Sequence, residues 1–93
     1  MDFEKVIQIL SLKTRREILR TIVSRPKTLM EIYEELQERK STPIKYRESV
    51  YKALEKLVSV GLVEKTYDKR IVRYKSKFSK IVADLINEKL RLL

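Results

Sequence analysis

Phe3, Val6, Ile7 and Leu10 recur at the i, i+3, i+4, i+7 spacing that gathers side chains on one face of a helix. A second helix is predicted to follow, capped by Ser11, with Leu12, Ile18, Leu19, Ile22 and Val23 inward and Lys13, Arg15, Arg16 and Arg20 outward. Ser24-Arg25-Pro26 ends it, because proline lacks the N–H that a helix needs. Thr28 and Glu31 then form a capping box, in which a hydroxyl and a carboxylate each satisfy the other's orphan backbone N–H. The helix that begins there buries Leu29, Ile32, Tyr33 and Leu36, turns Glu31, Glu34, Glu35 and Glu38 outward, and fades at Arg39-Lys40-Ser41-Thr42-Pro43. A long helix is predicted from about Lys45 to Val60, with Val50, Leu54 and Leu57 inward and Gly61 as its left-handed terminator.

Beyond Gly61 the period changes to about two, in Leu62–Thr66 and in Arg70–Lys75, which is the alternation of strands. Tyr67-Asp68-Lys69 is short enough to join them as a hairpin, and the lack of glycine there favours a loop of three to five residues over a tight mirror-image turn. From Ser76 a last helix is expected, carrying Phe78, Ile81, Val82, Leu85, Ile86 and Leu90, then Leu92 and Leu93.

Composition narrows what such a chain can do. At 93 residues it holds a single domain, spanning 1–93, and its core is thin enough that a second copy would add useful burial. Lys and Arg number 22 against 13 Asp and Glu, a net +9 that draws polyanions, so nucleic acid is the first partner to consider. With neither Cys nor His, the usual zinc, haem and iron–sulfur sites are excluded, along with thiol catalysis and histidine acid–base chemistry. One glycine cannot build a phosphate-cradling loop, so nucleotide hydrolysis is not expected, nor is any cofactor or metal. No uncharged run approaches the roughly 18 residues of a membrane span and Met1-Asp2-Phe3-Glu4 starts no signal peptide, so a cytoplasmic location is expected. One Asn, two Gln and no Cys fit a thermophilic, archaeal source.

Two helices, a capped helix, a long basic helix closed by glycine and a basic hairpin is the order of a winged helix-turn-helix. The fold class expected is therefore mainly α with a small β-hairpin wing, in the order α-α-α-α-β-β-α. Its helix-turn-helix covers about 28–60, its wing about 62–75 and its C-terminal helix about 77–92. Ile9-Leu10-Ser11-Leu12-Lys13-Thr14-Arg15-Arg16-Glu17-Ile18-Leu19 resembles the opening of the arsenic-repressor (ArsR) family. Ser49-Val50-Tyr51-Lys52-Ala53-Leu54, with Leu57 and Gly61-Leu62-Val63, resembles the recognition helix of the phenolic-acid-repressor (PadR) family. The resemblance implies a DNA-binding transcriptional regulator, and the missing Cys and His withhold from it the metal sensing of some arsenic-repressor members. The stretch from Gln37 to Arg47 is longer than the turn of a compact helix-turn-helix, which leaves room for an extra turn.

On that resemblance Arg47, Ser49, Tyr51 and Lys52 match recognition-helix positions that meet DNA, and Lys45 and Lys56 extend the same basic surface. Arg47 either forks onto a guanine edge, holds a phosphate, or stays solvated; Tyr51 either reaches a phosphate or packs on the preceding helix. Glu48, near the start of that helix, reads as a charge favourable to the helix dipole. Residues 65–80 carry seven cations against Asp68, and Lys65, Lys69, Arg70 and Arg73 are the wing candidates for phosphate contact. Regulators of the resembled families dimerise through terminal helices, which marks Phe3, Val6, Leu10, Phe78, Val82, Leu85, Ile86 and Leu90 as a homodimer interface. A twofold dimer reads half-sites about one DNA turn apart. The rival readings are a protein-interaction module that uses the apolar C-terminal segment, an RNA binder, disfavoured by the lack of an aromatic platform, and a strand-transfer enzyme using Tyr51 or Tyr74.

Overall fold

A computed structural model describes residues 1–39 and 44–93. Its helices are α1 (Phe3–Leu10), α2 (Lys13–Thr21), α3 (Leu29–Arg39) and α4 (Arg47–Ser59), followed by strands β1 (Val63–Asp68), β2 (Ile71–Ser76), β3 (Ile81–Asp84) and β4 (Lys89–Leu92). Most of the apolar stripes read from the sequence meet in one core, where Val6, Ile18, Ile22, Ile32, Leu36, Val50, Leu54, Leu57 and Leu62 are buried, but Leu12, expected inward, precedes α2 and is exposed. The capping box forms as expected: the Thr28 amide donates to Glu31 Oε1 at 2.9 Å, and the Glu31 amide donates to Thr28 Oγ1 at 3.2 Å. The Thr28 amide is also the main cause holding the Glu31 carboxyl below its ordinary range. Gly61 closes α4 at φ 84°, a left-handed conformation that a side chain resists.

Ser11 does not cap α2. It closes α1, its hydroxyl donating to the Gln8 carbonyl at 2.6 Å, and Leu12 stands at the start of α2 with no side-chain bond. A serine hydroxyl meets the carbonyl three residues back as readily as it caps the next helix, and here the preceding helix claims it.

Strands β1 and β2 pair antiparallel from Val63↔Ser76 to Asp68↔Ile71, so only Lys69 and Arg70 form the turn, with φ of 47° and 71°. The longer loop expected from the absence of glycine gives way to a tight turn with both residues left-handed, because that backbone twist matches the twist of the paired strands. The hairpin is moored at its base: the Lys27 amide donates to the Tyr74 carbonyl at 3.0 Å, the Tyr74 amide donates to the Lys27 carbonyl at 2.8 Å, and the Ser76 amide donates to the Ile22 carbonyl at 3.0 Å. Lys27, itself buried, reaches Glu35 on α3 at 3.1 Å.

The C-terminal helix expected over 77–92 is instead a second hairpin, in which β3 and β4 pair from Ile81↔Leu92 to Asp84↔Lys89. The element order is thus α-α-α-α-β-β-β-β. Asp84 is the local cause: its carboxylate accepts from the amides of Ile86 and Asn87, both at 3.1 Å, and from the Asn87 side chain at 2.9 Å. An Asp that bonds its own downstream amides competes with helix and favours a turn. Glu88 at φ 54° completes the reversal. Phe78, Ile81, Leu90 and Leu92 pack half-buried against the core, and between the hairpin, α1 and α2 lies a groove of about 450 Å³.

Candidate nucleic-acid interface

Helix α4 begins at Arg47, so Lys45 lies outside it in the segment that leads in. That segment is fixed from behind: the Tyr33 hydroxyl donates to the Lys45 carbonyl at 3.1 Å, the Gln37 side-chain amide donates to the Ile44 carbonyl, and Ile44 is buried. The extra turn anticipated between Gln37 and Arg47 falls largely on Lys40–Pro43, outside the described residues. With Val50, Ala53, Leu54 and Leu57 buried, the 100° step per residue leaves Arg47, Glu48, Ser49, Tyr51, Lys52 and Lys56 on exposed faces of α4. Tyr51 is exposed at 44%. Arg47 lies with a guanidinium nitrogen 3.8 Å from Met30 Sδ at the start of α3. Glu48 sits in the first turn of α4, where the dipole favours a carboxylate, and reaches Lys52 at 3.4 Å. Both partners of that pair are widely exposed, so it contributes little.

The wing candidates divide. Lys69 and Arg70 occupy the exposed tip, and Arg73 lies 3.7 Å from Asp68 in a partly exposed pair. Lys65 does something else. Its ammonium donates to Glu55 on α4 at 3.0 Å and lies 5.8 Å from the ring centres of Tyr67 and Tyr74. The Glu55 hydrogen bond is the main cause holding Lys65 above its ordinary range. Tyr74 donates to the same Glu55 oxygen at 3.2 Å, and burial pushes its phenol up to about 12. Glu55 therefore ties α4 to both strands of the wing, and Lys65 acts as a strut inside the protomer.

Sequence reasoning missed Glu55, whose partners lie 10 and 19 residues away and leave no periodic signal. It also missed the exposure of Tyr46, at 69%, and Tyr67, at 72%, which flank the basic surfaces with aromatic rings. The acids of the helical half are largely engaged at home: Glu17 pairs with Arg20 and Arg39, Glu31 with Arg25, and Glu35 with Lys27 and Arg39.

The proposed interface residues also separate. Val6 is fully buried in the protomer core, and Phe3, Leu10, Phe78 and Leu90 are half-buried. Val82, Leu85 and Ile86 are exposed, the last two at 66% and 90%, on the outer part and tip of the second hairpin. Among the described residues there is no cluster of three metal-ligating side chains and no helix long and apolar enough to cross a membrane.

No family model matches the chain, and no curated protein is significantly similar to it. Among solved structures it is similar to an ArsR-like transcriptional regulator from Rhodococcus sp. RHA1, with 28% identity and a TM-score of 0.61. The match covers 80% of this chain and 63% of that one, so the chain spans less than two thirds of the regulator's length. Helices, wing and this likeness together give the chain an ArsR-like winged-helix fold, extended by a second hairpin where a terminal helix was expected.

Proposed function

We propose that this protein is a sequence-specific, double-stranded-DNA-binding transcriptional regulator without catalytic activity, working as a homodimeric repressor that occludes a promoter. The observation that carries this reading is α4, with its exposed Arg47, Ser49, Tyr51, Lys52 and Lys56, locked through Glu55 to a wing whose tip is Lys69-Arg70. A rigid link between the two fixes the distance from a groove-reading helix to a phosphate-gripping tip, the arrangement a winged helix uses on DNA. The Rhodococcus protein's designation as a transcriptional regulator points the same way. In this reading Arg47 faces base edges, while Lys45, Tyr51, Lys52, Lys56, Lys69, Arg70 and Arg73 hold phosphates. The PadR-like reading of the recognition helix rests on Ser49–Leu54 and Gly61–Val63, and a cytoplasmic location and an archaeal, thermophilic source go with the composition.

The dimer surface moves with the corrected fold. We place it on the second hairpin, at Val82, Leu85 and Ile86, with Phe3 of α1 at its margin, because an exposed contiguous apolar tip is costly unless covered. A protein-interaction module is the second reading, favoured by the same Leu85-Ile86 tip, which a different partner would cover equally well.

Selection of bound fragments from a random duplex library at about 200 mM salt, where purely electrostatic binding has weakened, tests the proposal. Enrichment of an inverted repeat with half-sites near one helical turn is expected. Recovery without enrichment would reduce the function to charge or shape binding, and no recovery would favour the protein-interaction module. With around eight phosphate contacts, log affinity falls against log salt with a slope of about −7.

A further inference from the structure

Helix α4 has a second working flank. Ser49, Lys52 and Lys56, at i, i+3 and i+7, turn toward the start of α2, where they share an open groove of about 380 Å³ with Thr14 and Arg15. Three cations and two hydroxyls from two separate helices thus line one concavity, and among the described residues none of its lining is acidic. Ala53 and Leu12 complete the lining.

The groove's cations are free to take an anion. Lys52 has only its exposed pair with Glu48, and Lys56 is exposed with no ion pair among the described residues. Arg15 is steadied from one side, where one guanidinium nitrogen donates to the Ile9 carbonyl at 3.3 Å, which leaves its remaining donors for the groove. The first turn of α2 holds no acid and its N-cap residue makes no side-chain bond, so the backbone there adds positive potential to what the side chains supply.

We infer that the α2–α4 groove is a phosphodiester site for the DNA backbone, in which Arg15, Lys52 and Lys56 hold a phosphate with Thr14 and Ser49 as hydroxyl donors. This rests on the DNA-binding reading and divides α4 by function. The flank toward α2 grips one strand's backbone, and the Arg47 side is left to the bases. The start of α2, which contributes nothing to the helix-turn-helix itself, becomes a third anchor beside the recognition helix and the wing tip.

The test is the salt dependence of binding to fluorescein-labelled duplexes of random sequence, measured by anisotropy from 50 to 300 mM salt, for wild type, Lys56→Gln, Arg15→Gln and the double variant. Since each lost phosphate contact lowers the slope by about 0.9, the double variant is expected to bind every duplex about tenfold more weakly with a slope shallower by about one. Arg15 also braces α1, so circular dichroism accompanies each variant, and Lys56→Gln, on an exposed side chain, carries the test if Arg15→Gln unfolds. A wild-type slope in a folded Lys56→Gln protein, or a loss confined to one sequence, would overturn the site. If Lys69→Glu still weakens binding in that case, the DNA-binding reading survives without it; if wild type binds no duplex at any salt, both fall.

Discussion

The molecule ends in two β-hairpins of similar size whose tips have opposite chemistry. The β1–β2 hairpin turns on Lys69-Arg70 and is bonded to the helical core through Lys27, Tyr74 and Glu55. The β3–β4 hairpin turns on Leu85-Ile86, held by the Asp84 carboxylate, and leaves those two side chains in water. A charged tip costs little while solvated and is useful against a polyanion, whereas an exposed apolar tip is costly until a protein covers it. On the proposed function the same secondary structure serves two kinds of partner, the first hairpin facing DNA and the second facing another protein surface, which we propose is a second copy.

The largest effect that would break this comparison is on DNA affinity. Lys69→Glu with Arg70→Glu is expected to weaken binding to all duplexes by about 100-fold at 100 mM salt, because two phosphate contacts become two repulsions. Anisotropy titrations on operator and random DNA check it, and a sequence-selective loss would assign base reading to the wing. Next in size, Leu85→Asp with Ile86→Asp is expected to give monomers in sedimentation equilibrium and about tenfold weaker binding to paired half-sites, with single half-site affinity unchanged. The stability of the isolated protomer should hold within about 0.5 kcal/mol, since both side chains are exposed there, while any stabilisation by dimerisation is lost.

Smaller effects sharpen the contrast between the turns. Lys69 and Arg70 hold left-handed backbone that costs a side-chain residue about 1 kcal/mol, so Arg70→Gly is expected to raise stability by about that much, near 4–8 °C in Tm, while lowering DNA affinity. Opposite signs for stability and binding in one variant would mark the tip as strained for function. The other turn answers to pH instead. The Asn87 side chain and amide hold the Asp84 carboxyl below its ordinary range. Its contribution is therefore complete above the unfolded carboxylate range and lost as pH falls through the lower folded value. Amide resonances of Ile86 and Asn87 should shift together in that acidic window, and Asp84→Asn should abolish the step.

These hairpins also show what the sequence made legible. The first was readable because Leu62–Thr66 and Arg70–Lys75 alternate without a competing period. The second was hidden because Phe78, Ile81, Val82, Leu85 and Ile86 fit a helix at least as well as Ile81 with Ala83 and Leu90 with Leu92 fit strands. What decided it was the bonding of Asp84 to the Ile86 and Asn87 amides, together with pairing across the turn, which periodicity does not weigh. The helical half was legible down to the Thr28–Glu31 cap and the Gly61 terminus, since those signals are local. In the candidate site, exposed cations were found by subtracting the buried stripe, but the pairing of Lys65 was not legible because its partner Glu55 belongs to another element. Val6 was placed at an interface because apolar spacing cannot tell a protomer's core from a partner's.

The most direct test of the two-partner account is an NMR map of amide shifts on adding a duplex DNA to isotopically labelled protein. The account predicts that perturbations fall on α4, the start of α2 and the Lys69-Arg70 tip, and leave Leu85 and Ile86 unmoved. Shifts concentrated on β3–β4 and α1, with the wing tip silent, would contradict it.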